Sequence, residues 1–572
     1  MNKKITLLVF IASITTAFSQ NLNFTNKADK LIARSGSSSA ILTGSGGGTI
    51  YISNGFSATA NFTSEIEKYN ANTNTWSLFT TSIPSIAKRY GNSQITAGNQ
   101  LCLFNGITNT GTLNDKIEKI NLTTGVITIS TTLNPNPVYS AGSEYFSSSL
   151  LSFGGCSDNF NAVYSKKFYS ISLNPETYTE LADMPVGLET KGKVMIGSGE
   201  ALYVFGGYKE TNNVAENFES VTLNSNIALT DWINVAETGT KLYKGKQFTA
   251  NKYAEISAFE SVVANQESSN KAWLISNPLT ALSTNQVFLN FDTKDGFNNG
   301  ATLEPYLITN WTGDITTSTK TLLFGNIASG TTTGYAAYFT NSGNILLNGD
   351  LSNFIIGFKY TGGYSPVKTT TYQIDNVRVF KTTVSNNIYK YSFGGTNTWT
   401  TLSTVLPQSL SAYAIAGDYS KAYITGDYNN QTFTGVFDST NETFTTLSQT
   451  NMIGRRHHNS EIWNGSLYIT GGNTDSFTGS VLSSTQSVDL STLSSEEFVT
   501  NTEFRVYPNP ATEFININED IETISIYTIE GKKIETQKVN NSINVSKLTN
   551  GIYLLIGEDS NGKIFKSKLI KQ

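Results

Sequence analysis

The chain has 572 residues, of which only 15% are charged, and its formal net charge is −5. A nucleic-acid-binding surface needs an excess of basic residues to displace counterions from phosphates, so nucleic acid is not an expected partner. Two histidines and two cysteines argue against a His-rich metal site, a zinc finger and a disulfide-stapled miniprotein. The 47 glycines and 12% aromatic residues predict an all-β protein of several domains with many short strands.

Residues 1–19 have the pattern of a secretory signal peptide. A basic start at residues 2–4 is followed by an apolar run that ends at Ile14, and small residues precede a cleavage position before Gln20. The apolar run is too short to span a bilayer, and no later segment approaches about 18 consecutive apolar residues. The sequence therefore predicts an exported protein that is not transmembrane.

A pattern of about fifty residues recurs after the signal peptide. An apolar strand ends in glycine in each repeat, and Gly55, Gly106, Gly155 and Gly207 follow one another at intervals of 51, 49 and 52 residues. An aromatic residue then recurs in the last strand of most repeats, at Trp76, Tyr178, Trp399 and Phe444. This pattern resembles the kelch repeat, in which each unit is one four-stranded blade of a β-propeller.

The two ends of the repeat region complement each other. The last repeat supplies three strands, ending at residues 486–490, and the segment Leu22–Thr25 can supply its fourth. Sharing one blade between both ends removes an exposed sheet edge. The prediction is a six-bladed propeller closed by its ends, and seven blades remain an alternative.

One interval breaks the period, because Gly207 and Asp427 are 220 residues apart. We predict an inserted domain at residues 216–381, with the propeller formed by residues 20–215 and 382–490. The segments 272–278, 354–363 and 371–379 resemble a choice-of-anchor type of jelly-roll domain, found in secreted surface proteins and similar to carbohydrate-binding modules. The resemblance implies a second β-sandwich that interrupts the fourth blade.

The same resemblance implies a structural calcium ion near Glu219 and Asp375. Calcium prefers several oxygen ligands, which two carboxylates and backbone carbonyls can supply. The competing interpretation is that Glu219 is solvated and Asp375 caps a turn. Trp232 and Trp311 are candidates for stacking on sugars, although most aromatic residues of a jelly roll belong to its core.

The C-terminal residues 503–572 have the pattern of a small Ig-like β-sandwich, preceded by a linker at residues 491–502. The sequence YPNP at residues 507–510, a hairpin around residues 526–533, the sequence NGIYLL and a basic end follow in order. These motifs resemble the C-terminal sorting domain of type IX secretion substrates. The resemblance implies the type IX machinery as a partner and an extracellular or outer-surface location; the alternative is a generic β-sandwich.

Three arginines, Arg34, Arg89 and Arg456, occupy positions between blades that the repeat makes equivalent. In kelch adaptors an arginine there faces the central pocket and binds acidic groups of a ligand through its guanidinium. The competing interpretation is hydrogen bonding to backbone carbonyls between blades. His457 and His458 are adjacent and point to opposite sides, which predicts a structural role rather than a metal site. Cys102 and Cys156 are expected to be two separate buried thiols.

No nucleophile or acid–base pair stands in a recognisable catalytic context. The leading hypothesis is a secreted, non-catalytic cell-surface binding or adhesion protein that recognises glycan or protein ligands through propeller loops and the jelly roll. The alternative is a carbohydrate-active kelch enzyme, mutarotase-like or lyase-like, with an arginine and carboxylate pocket. A third hypothesis is a passive surface-layer component.

Overall fold

The structure is a computed structural model of the chain. It describes, in order, residues 21–43, 48–57, 61–81, 88–197, 199–281, 286–395, 397–474, 480–493, 506–517, 523–528, 533–538, 542–558 and 564–572. The predicted signal peptide lies outside these residues, as does most of the predicted linker.

The described chain is all-β. Apart from two short 3-10 turns at Val263–Asn265 and Leu490–Leu493, its regular elements are strands. The chain divides into two compact units, residues 1–490 and residues 491–572. No helix within the described residues is long and apolar enough to cross a membrane.

Six antiparallel sheets, here numbered 1 to 6 in chain order, dominate the first unit. From its first to its fourth strand, sheet 1 consists of Ser38–Leu42, Thr49–Ser53, Ile66–Asn70 and Thr75–Leu78. Sheet 2 consists, in the same order, of Ser93–Ala97, Gln100–Phe104, Glu118–Asn121 and Ile127–Ile129. Sheet 3 consists of Gly142–Phe146, Ser149–Phe153, Phe168–Leu173 and Glu176–Glu180. Sheet 4 consists of Glu189–Met195, Ala201–Glu216, Thr371–Ser392 and Trp399–Val405. Sheet 5 consists of Ala414–Gly417, Lys421–Thr425, Thr434–Asp438 and Thr443–Thr446. Sheet 6 consists of Asn459–Trp463, Ser466–Thr470, Thr485–Asp489 and Thr25–Asn26.

The six sheets follow one another in a closed cycle. The first strand of each sheet contacts the first strand of the next, and the first strand of sheet 6 contacts that of sheet 1. Because each sheet packs between two neighbours, its second strand is apolar on both faces, as in Leu101–Leu103. The hydrophobic core therefore lies between consecutive sheets; Tyr51 of sheet 1, for example, packs in one cluster with Leu103 of sheet 2.

The fourth strand of sheet 6 comes from the N-terminal end of the described chain. Thr25 lies opposite Ser487, and Asn26 lies opposite Gln486, in antiparallel register. Just before it, Asn21–Asn23 pairs in parallel with Ser448–Thr450 beside sheet 5. The N-terminal segment therefore bonds to sheet 6 and to the strand that follows sheet 5 in the chain.

A glycine with positive φ recurs just after the second strand, or within it in sheet 4, where the backbone passes close to the link between sheets. Gly155 has φ +91°, and a Cβ at this position would lie 2.9 Å from the carbonyl oxygen of Tyr139. Gly207 has φ +120°, and its Cβ would lie 2.8 Å from the carbonyl oxygen of Glu189. The recurrent glycine is thus required both by the backbone conformation and by a close backbone approach.

We expect Gly155→Ala to lower the free energy of unfolding by about 2–3 kcal/mol, because it adds strain and a backbone clash. Gly98→Ala is the matched control, since Gly98 has φ +57° and a Cβ added to it would have no atom within 4 Å. The control should cost only about 1 kcal/mol, the cost of the left-handed conformation. Urea unfolding of both variants measures the difference; equal losses would contradict the crowding argument.

The segment between the second and third strands of sheet 4 forms two more sheets, and we call residues 217–370 the insert. The two long strands of sheet 4, Ala201–Glu216 and Thr371–Ser392, extend from the sheet into the insert. They stay paired along this length, from Ala201 opposite Ser392 to Glu216 opposite Val377. The chain therefore leaves and re-enters the cycle through one continuous hairpin. The boundaries at 215/216 and 381/382 fall inside or at the end of these strands.

The insert consists of two sheets packed face to face. One uses Thr371–Ser392 with the strands Lys244–Phe248, Asn251–Ile256, Val287–Gly296, Thr340–Asn341 and Ile345–Leu346. The other is formed by Trp232–Thr238, Asn270–Ser276, Phe354–Tyr364, Thr302–Thr309, Thr319–Leu322 and Val367–Lys368. Their inner faces form one hydrophobic cluster, with Leu289, Phe358 and Ile374 fully buried.

The second unit is a small pair of antiparallel sheets. Its strands are Lys533–Lys538, Thr523–Thr528, Gly551–Glu558 and Ile564–Lys571 in one sheet, and Val506–Tyr507, Phe514–Ile517 and Ser542–Asn544 in the other. Ile515, Ile524, Ile543 and Leu555 are fully buried in one core.

Candidate ligand-binding cavity

The first strands of the six sheets surround a cavity of about 460 Å³. Small residues leave this space open, among them Ser38, Ser93, Gly142 and Ala414, which occupy matching positions opposite the second strand. Every one of the six sheets contributes to the wall. A cavity of this size at the centre of a β architecture is suited to a small polar ligand.

Charged side chains from three sheets reach this cavity. Lys191 and Lys193 of sheet 4 lie two residues apart on one strand and therefore face the same side. The Lys193 ammonium is 3.0 Å from Glu144 of sheet 3, and Glu461 of sheet 6 accepts a 2.6 Å hydrogen bond from the hydroxyl of Ser39. No ion pair or hydrogen bond of the Lys191 ammonium is found among the described residues.

Burial shifts the pKa values of Glu461, Glu189 and Lys191 towards their neutral forms. Desolvation raises the pKa of Glu461 to about 7, against the opposing hydrogen bond from Ser39. Desolvation and then the charge of Glu210 raise the pKa of Glu189, at one end of the cavity, to about 8. Desolvation also lowers the pKa of Lys191 to about 8. Three groups of the cavity thus titrate near neutral pH, which is typical of functional sites.

Glu189 provides a pH test of this environment. Its folded pKa lies above its unfolded value, so the stability that it contributes is full below about pH 4.5 and is lost as pH rises through about 8. Between pH 5 and pH 8, we expect the free energy of unfolding of Glu189→Gln to rise by about 2 kcal/mol relative to that of the wild type. This figure is smaller than the full pKa shift implies, because the carboxyl group faces an open cavity. Urea unfolding across this range measures the gain. Glu180→Gln removes an exposed carboxylate and is the control, so its free energy of unfolding should differ from that of the wild type by the same amount at every pH. If the difference between Glu189→Gln and the wild type also does not change with pH, the prediction is contradicted.

Aromatic residues and His457 form the wall beside the charged groups. The His457 ring lies 6.4 Å from the ring centroids of Tyr90 and Tyr428. Burial, followed by the charges of Arg456 and Lys191, lowers the pKa of His457 to about 3, so its ring is neutral at pH 7. His458 is also buried, and its Nε2 lies 2.9 Å from the hydroxyl of Thr425. The two histidines therefore act as neutral side chains.

The arginines that the sequence assigns to ligand binding do not line the cavity. The Arg34 guanidinium is fully buried, 2.7 Å from Glu67, and donates to the carbonyl oxygens of Asn54 and Glu65. Arg89 likewise pairs with Glu118 and donates to the carbonyl oxygen of Asn105. Each of these arginines ties a link between sheets to the third strand of the following sheet.

The sequence predicts that Arg456 occupies the position equivalent to Arg34 and Arg89, but this assignment is off by one residue. Arg455 takes the equivalent position, because its guanidinium donates to the carbonyl oxygen of Gly471 and to Gln486 on the third strand of sheet 6. Arg456 instead stacks on the Tyr428 ring at 4.1 Å and donates to the carbonyl oxygen of Tyr428. The three predicted residues are therefore not brought together in one site.

The charged residues of the cavity were missed in the sequence because they come from different repeats. A usable signal was present. Each link is followed within a few residues by the first strand, and every second residue of that strand faces the centre of the cycle. Applying this rule to sheets 3, 4 and 6 selects Glu144, Lys191, Lys193 and Glu461.

The two residues predicted to hold calcium, Glu219 and Asp375, lie near each other, because the charge of Glu219 is among the causes, after burial, that raise the pKa of Asp375 to about 6. Asp375 accepts hydrogen bonds from the side chain of Asn251 at 2.8 Å and from the backbone N–H of Asn376. Glu219 accepts one from the backbone N–H of Lys252. Among the described residues, no group of three or more His, Cys, Asp or Glu side chains is arranged to hold a metal ion. The calcium site stays a prediction.

The other residues singled out in the sequence are structural in this fold. Trp232 belongs to the core of the insert, and Trp311 packs against a second apolar cluster around Trp273. Cys102 and Cys156 are free, buried thiols, as the sequence predicts.

Comparison with known families identifies the end of the chain. Residues 505–572 match the family model described as "Secretion system C-terminal sorting domain". The predicted type IX sorting domain is confirmed. This domain marks proteins that type IX secretion exports to the cell surface or the extracellular space, so the chain is an exported protein and the secretion machinery is a partner.

The remaining comparisons concern the whole chain. The search of curated proteins found no match. Among solved structures, one titled "Structure of YjhT" is similar, with a TM-score of 0.40 and 11% sequence identity, over 80% of this chain and 95% of that chain.

Proposed function

We propose that sheets 1 to 6 are the blades of a kelch-type six-bladed propeller, formed by residues 20–215 and 382–490. The closed cycle of contacts between first strands supports this interpretation, as does the sharing of sheet 6 between both ends. Residues 216–381 are a jelly roll inserted into the fourth blade, and a linker at 491–502 leads to the sorting domain at 503–572. The continuous hairpin of sheet 4 supports a single insertion.

We propose that the protein is a secreted, non-catalytic cell-surface binding or adhesion protein, which recognises glycan or protein ligands. The observation that carries the proposal is the polar cavity at the centre of the six sheets. Two of its carboxylates, Glu144 and Glu461, already have a protein partner each, which fits a preformed recognition surface. Export by type IX secretion delivers such a surface to the outside of the cell.

Lys191 is the group in the cavity with the strongest need of a ligand. Its ammonium has lost hydration by burial and forms no hydrogen bond or ion pair among the described residues, although the charge of Glu461 acts on it across the cavity. A ligand that presents an oxygen acceptor or a carboxylate to Lys191 would restore the lost interaction. Glu461 and Ser39 can then orient hydroxyl groups of the same ligand.

The proposal is tested by screening the full mature chain on a glycan array and in pull-downs with surface extracts, and then measuring the affinity of each hit by calorimetry. Lys191→Gln and Glu461→Gln should weaken a cavity ligand at least tenfold, about 1.4 kcal/mol. Lys167→Gln is the control, because Lys167 forms an exposed ion pair with Glu180. Absence of any ligand, or wild-type affinity in both cavity variants, would overturn the proposal.

A carbohydrate-active enzyme is the second candidate. The observation that favours it is the presence of Lys191 and Glu461 in one cavity with pKa values of about 8 and 7, the range that acid–base chemistry at neutral pH uses. Incubating the array hits with the protein and following them by proton NMR separates the two candidates. Faster anomeric exchange or cleavage, lost in Lys191→Gln, would establish the enzyme; unchanged spectra support binding alone.

A further inference from the structure

Two lysines on one strand of the cavity have different surroundings. Lys191 and Lys193 both lie on the face of the first strand of sheet 4 that lines the cavity, and both are only partly buried. Lys193 forms an ion pair with Glu144, with 3.0 Å between nitrogen and oxygen. The Lys191 amine forms neither an ion pair nor a hydrogen bond in the described part of the chain. Lys191 therefore presents an amine to the cavity without a bonded partner.

The backbone of Lys191 is fixed by the neighbouring sheet. The hydroxyl of Tyr413 accepts a hydrogen bond of 3.2 Å from the backbone N–H of Lys191 and donates one of 3.1 Å to its carbonyl oxygen. Tyr413 is only 2% exposed, so solvent does not compete for these contacts. The amine is thus held at one place in the cavity wall by a rigid strand.

The two lysines differ in charge state for the same reason. Desolvation lowers the pKa of Lys191 to about 8, against the opposing charge of Glu461. For Lys193, desolvation is outweighed by the charge and the hydrogen bond of Glu144, so its pKa is raised. Of the two, only Lys191 has a neutral amine in an appreciable fraction of molecules at neutral pH.

The other titratable groups near Lys191 do not change this result. Burial lowers the pKa of His457 to about 3 and also lowers that of His458, so both rings are neutral. Glu189 lies two residues earlier on the same strand, and burial followed by the charge of Glu210 raises its pKa to about 8. None of these groups supplies a fixed negative charge that would hold Lys191 as an ammonium.

A neutral lysine amine is a nucleophile towards carbonyl carbon. The nitrogen of Lys191 would bond to the carbonyl carbon of an aldehyde, and the oxygen would take up the proton that the nitrogen gives up. The hydroxyl group of this carbinolamine would then leave as water with a proton from Glu461, whose pKa of about 7 keeps part of it protonated. The C=N bond forms, and the nitrogen returns a proton to Glu461. Amine and aldehyde thus give imine and water, with no oxidant or reductant.

The cavity wall indicates which carbonyl compounds would fit. Its volume of about 460 Å³ admits a small molecule, and serine residues are frequent in the wall, among them Ser38, Ser39 and Ser143. Because Lys193 is already paired with Glu144, it offers no free cation to a carboxylate. The wall therefore suits an uncharged aldehyde that carries hydroxyl groups.

We propose that Lys191 binds small hydroxyaldehydes covalently and reversibly in the central cavity, as an imine on its side-chain nitrogen. This inference rests on the proposed function, because it uses the same cavity, and it adds the kind of bond and the class of ligand.

The test is reductive trapping with glycolaldehyde. The full mature chain is incubated with glycolaldehyde and cyanoborohydride at pH 7, which reduces an imine to a stable secondary amine, and the modified lysines are located by peptide mass spectrometry. At this pH the neutral fraction of an amine with a pKa of about 8 exceeds that of an ordinary lysine by about two orders of magnitude. We expect Lys191 to be modified at least tenfold faster than Lys193 or the exposed Lys167. Equal modification of the three lysines overturns the proposal.

The pH dependence gives an independent measurement on the same protein. Hydrogen bonds to Glu180 and Asp183 raise the pKa of Lys167, so its neutral fraction keeps growing well above pH 8. The ratio of labelling at Lys191 to labelling at Lys167 should therefore be constant below about pH 8 and fall above it. A ratio that stays constant through this range contradicts a nucleophilic Lys191.

A variant separates the amine from its charge. Lys191→Arg keeps a cation but has no amine that can form an imine, so the adduct in this part of the chain should disappear. Lys167→Arg is the control and should keep the adduct on Lys191. Mapping of the wild type decides the proposal even if Lys191→Arg does not fold.

The outcomes separate this inference from the proposed function. Ligands from the array or pull-down that are lost in Lys191→Gln, without any glycolaldehyde adduct on Lys191, leave the proposed function standing and overturn the imine. An adduct specific to Lys191, with no ligand found in the array or pull-down, supports the imine and overturns recognition of glycan or protein ligands. Pyruvate trapped on Lys191 as fast as glycolaldehyde would overturn the assignment to uncharged hydroxyaldehydes.

Discussion

Arg34→Met is expected to lower the free energy of unfolding by about 3–5 kcal/mol, because it leaves Glu67 as a buried charge without its cation. Both side chains are fully buried, with a nitrogen–oxygen distance of 2.7 Å. The same guanidinium donates to two carbonyl oxygens, which would lose their partner as well. Urea unfolding followed by tryptophan fluorescence measures the loss.

Two controls isolate the role of the buried pair. Lys167→Met removes an exposed cation from Glu180 and Asp183, and should change stability by less than about 1 kcal/mol. Glu67→Gln reproduces the arrangement of sheet 6, where Arg455 bonds the neutral Gln486, and should cost less than Arg34→Met. If Arg34→Met lowers the free energy of unfolding by less than about 1 kcal/mol, the buried pair does not stabilise the links between sheets.

The double variant Leu22→Ala/Phe24→Ala is expected to lose about 5–8 kcal/mol, the combined cost of truncating two buried side chains. Leu22 is 1% exposed and Phe24 is 2% exposed, although they lie at the N-terminal end of the described chain. Loss of their packing also weakens the pairing of Thr25–Asn26 with sheet 6 and leaves an open sheet edge. Thermal unfolding and urea unfolding both measure the effect.

The same strand supplies the matched control. Asn21 and Asn23 alternate with Leu22 and are exposed, so Asn21→Ala/Asn23→Ala should stay within about 1 kcal/mol of the wild type. Equal stability of both double variants would mean that the N-terminal segment is not part of the folded cycle.

The repeat period could be predicted from the sequence because it depends on local signals. Strands alternate, glycine is needed at the positive φ of positions such as Gly155, and the intervals between these glycines repeat. The boundaries of the insert were harder to place exactly. The chain passes from the cycle into the insert along the continuous strand Ala201–Glu216, so no turn residue marks the transition.

The candidate site was less accessible to sequence reasoning than the fold. Arg455 and Arg456 are adjacent, and only the hydrogen bonds to Gly471 and Gln486 decide which of them matches Arg34. The groups of the cavity belong to separate repeats far apart in the chain, as with Glu144 and Glu461. Their approach depends on the closed cycle, which the two ends of the repeat region complete. Perturbed pKa values follow from that burial and cannot be read from residue type.

The most direct measurement of the closed cycle is a disulfide between its two ends. Thr25 and Ser487 are directly opposed in an antiparallel pair, a separation that a disulfide can span. Oxidation of Thr25→Cys/Ser487→Cys should give one intramolecular disulfide, visible as faster migration on a non-reducing gel and reversed by reductant, while buried Cys102 and Cys156 stay free. Thr25→Cys/Thr177→Cys is the control that should not close. Failure of the first pair to form, with the protein folded, would contradict a cycle of six sheets joined by the ends of the chain.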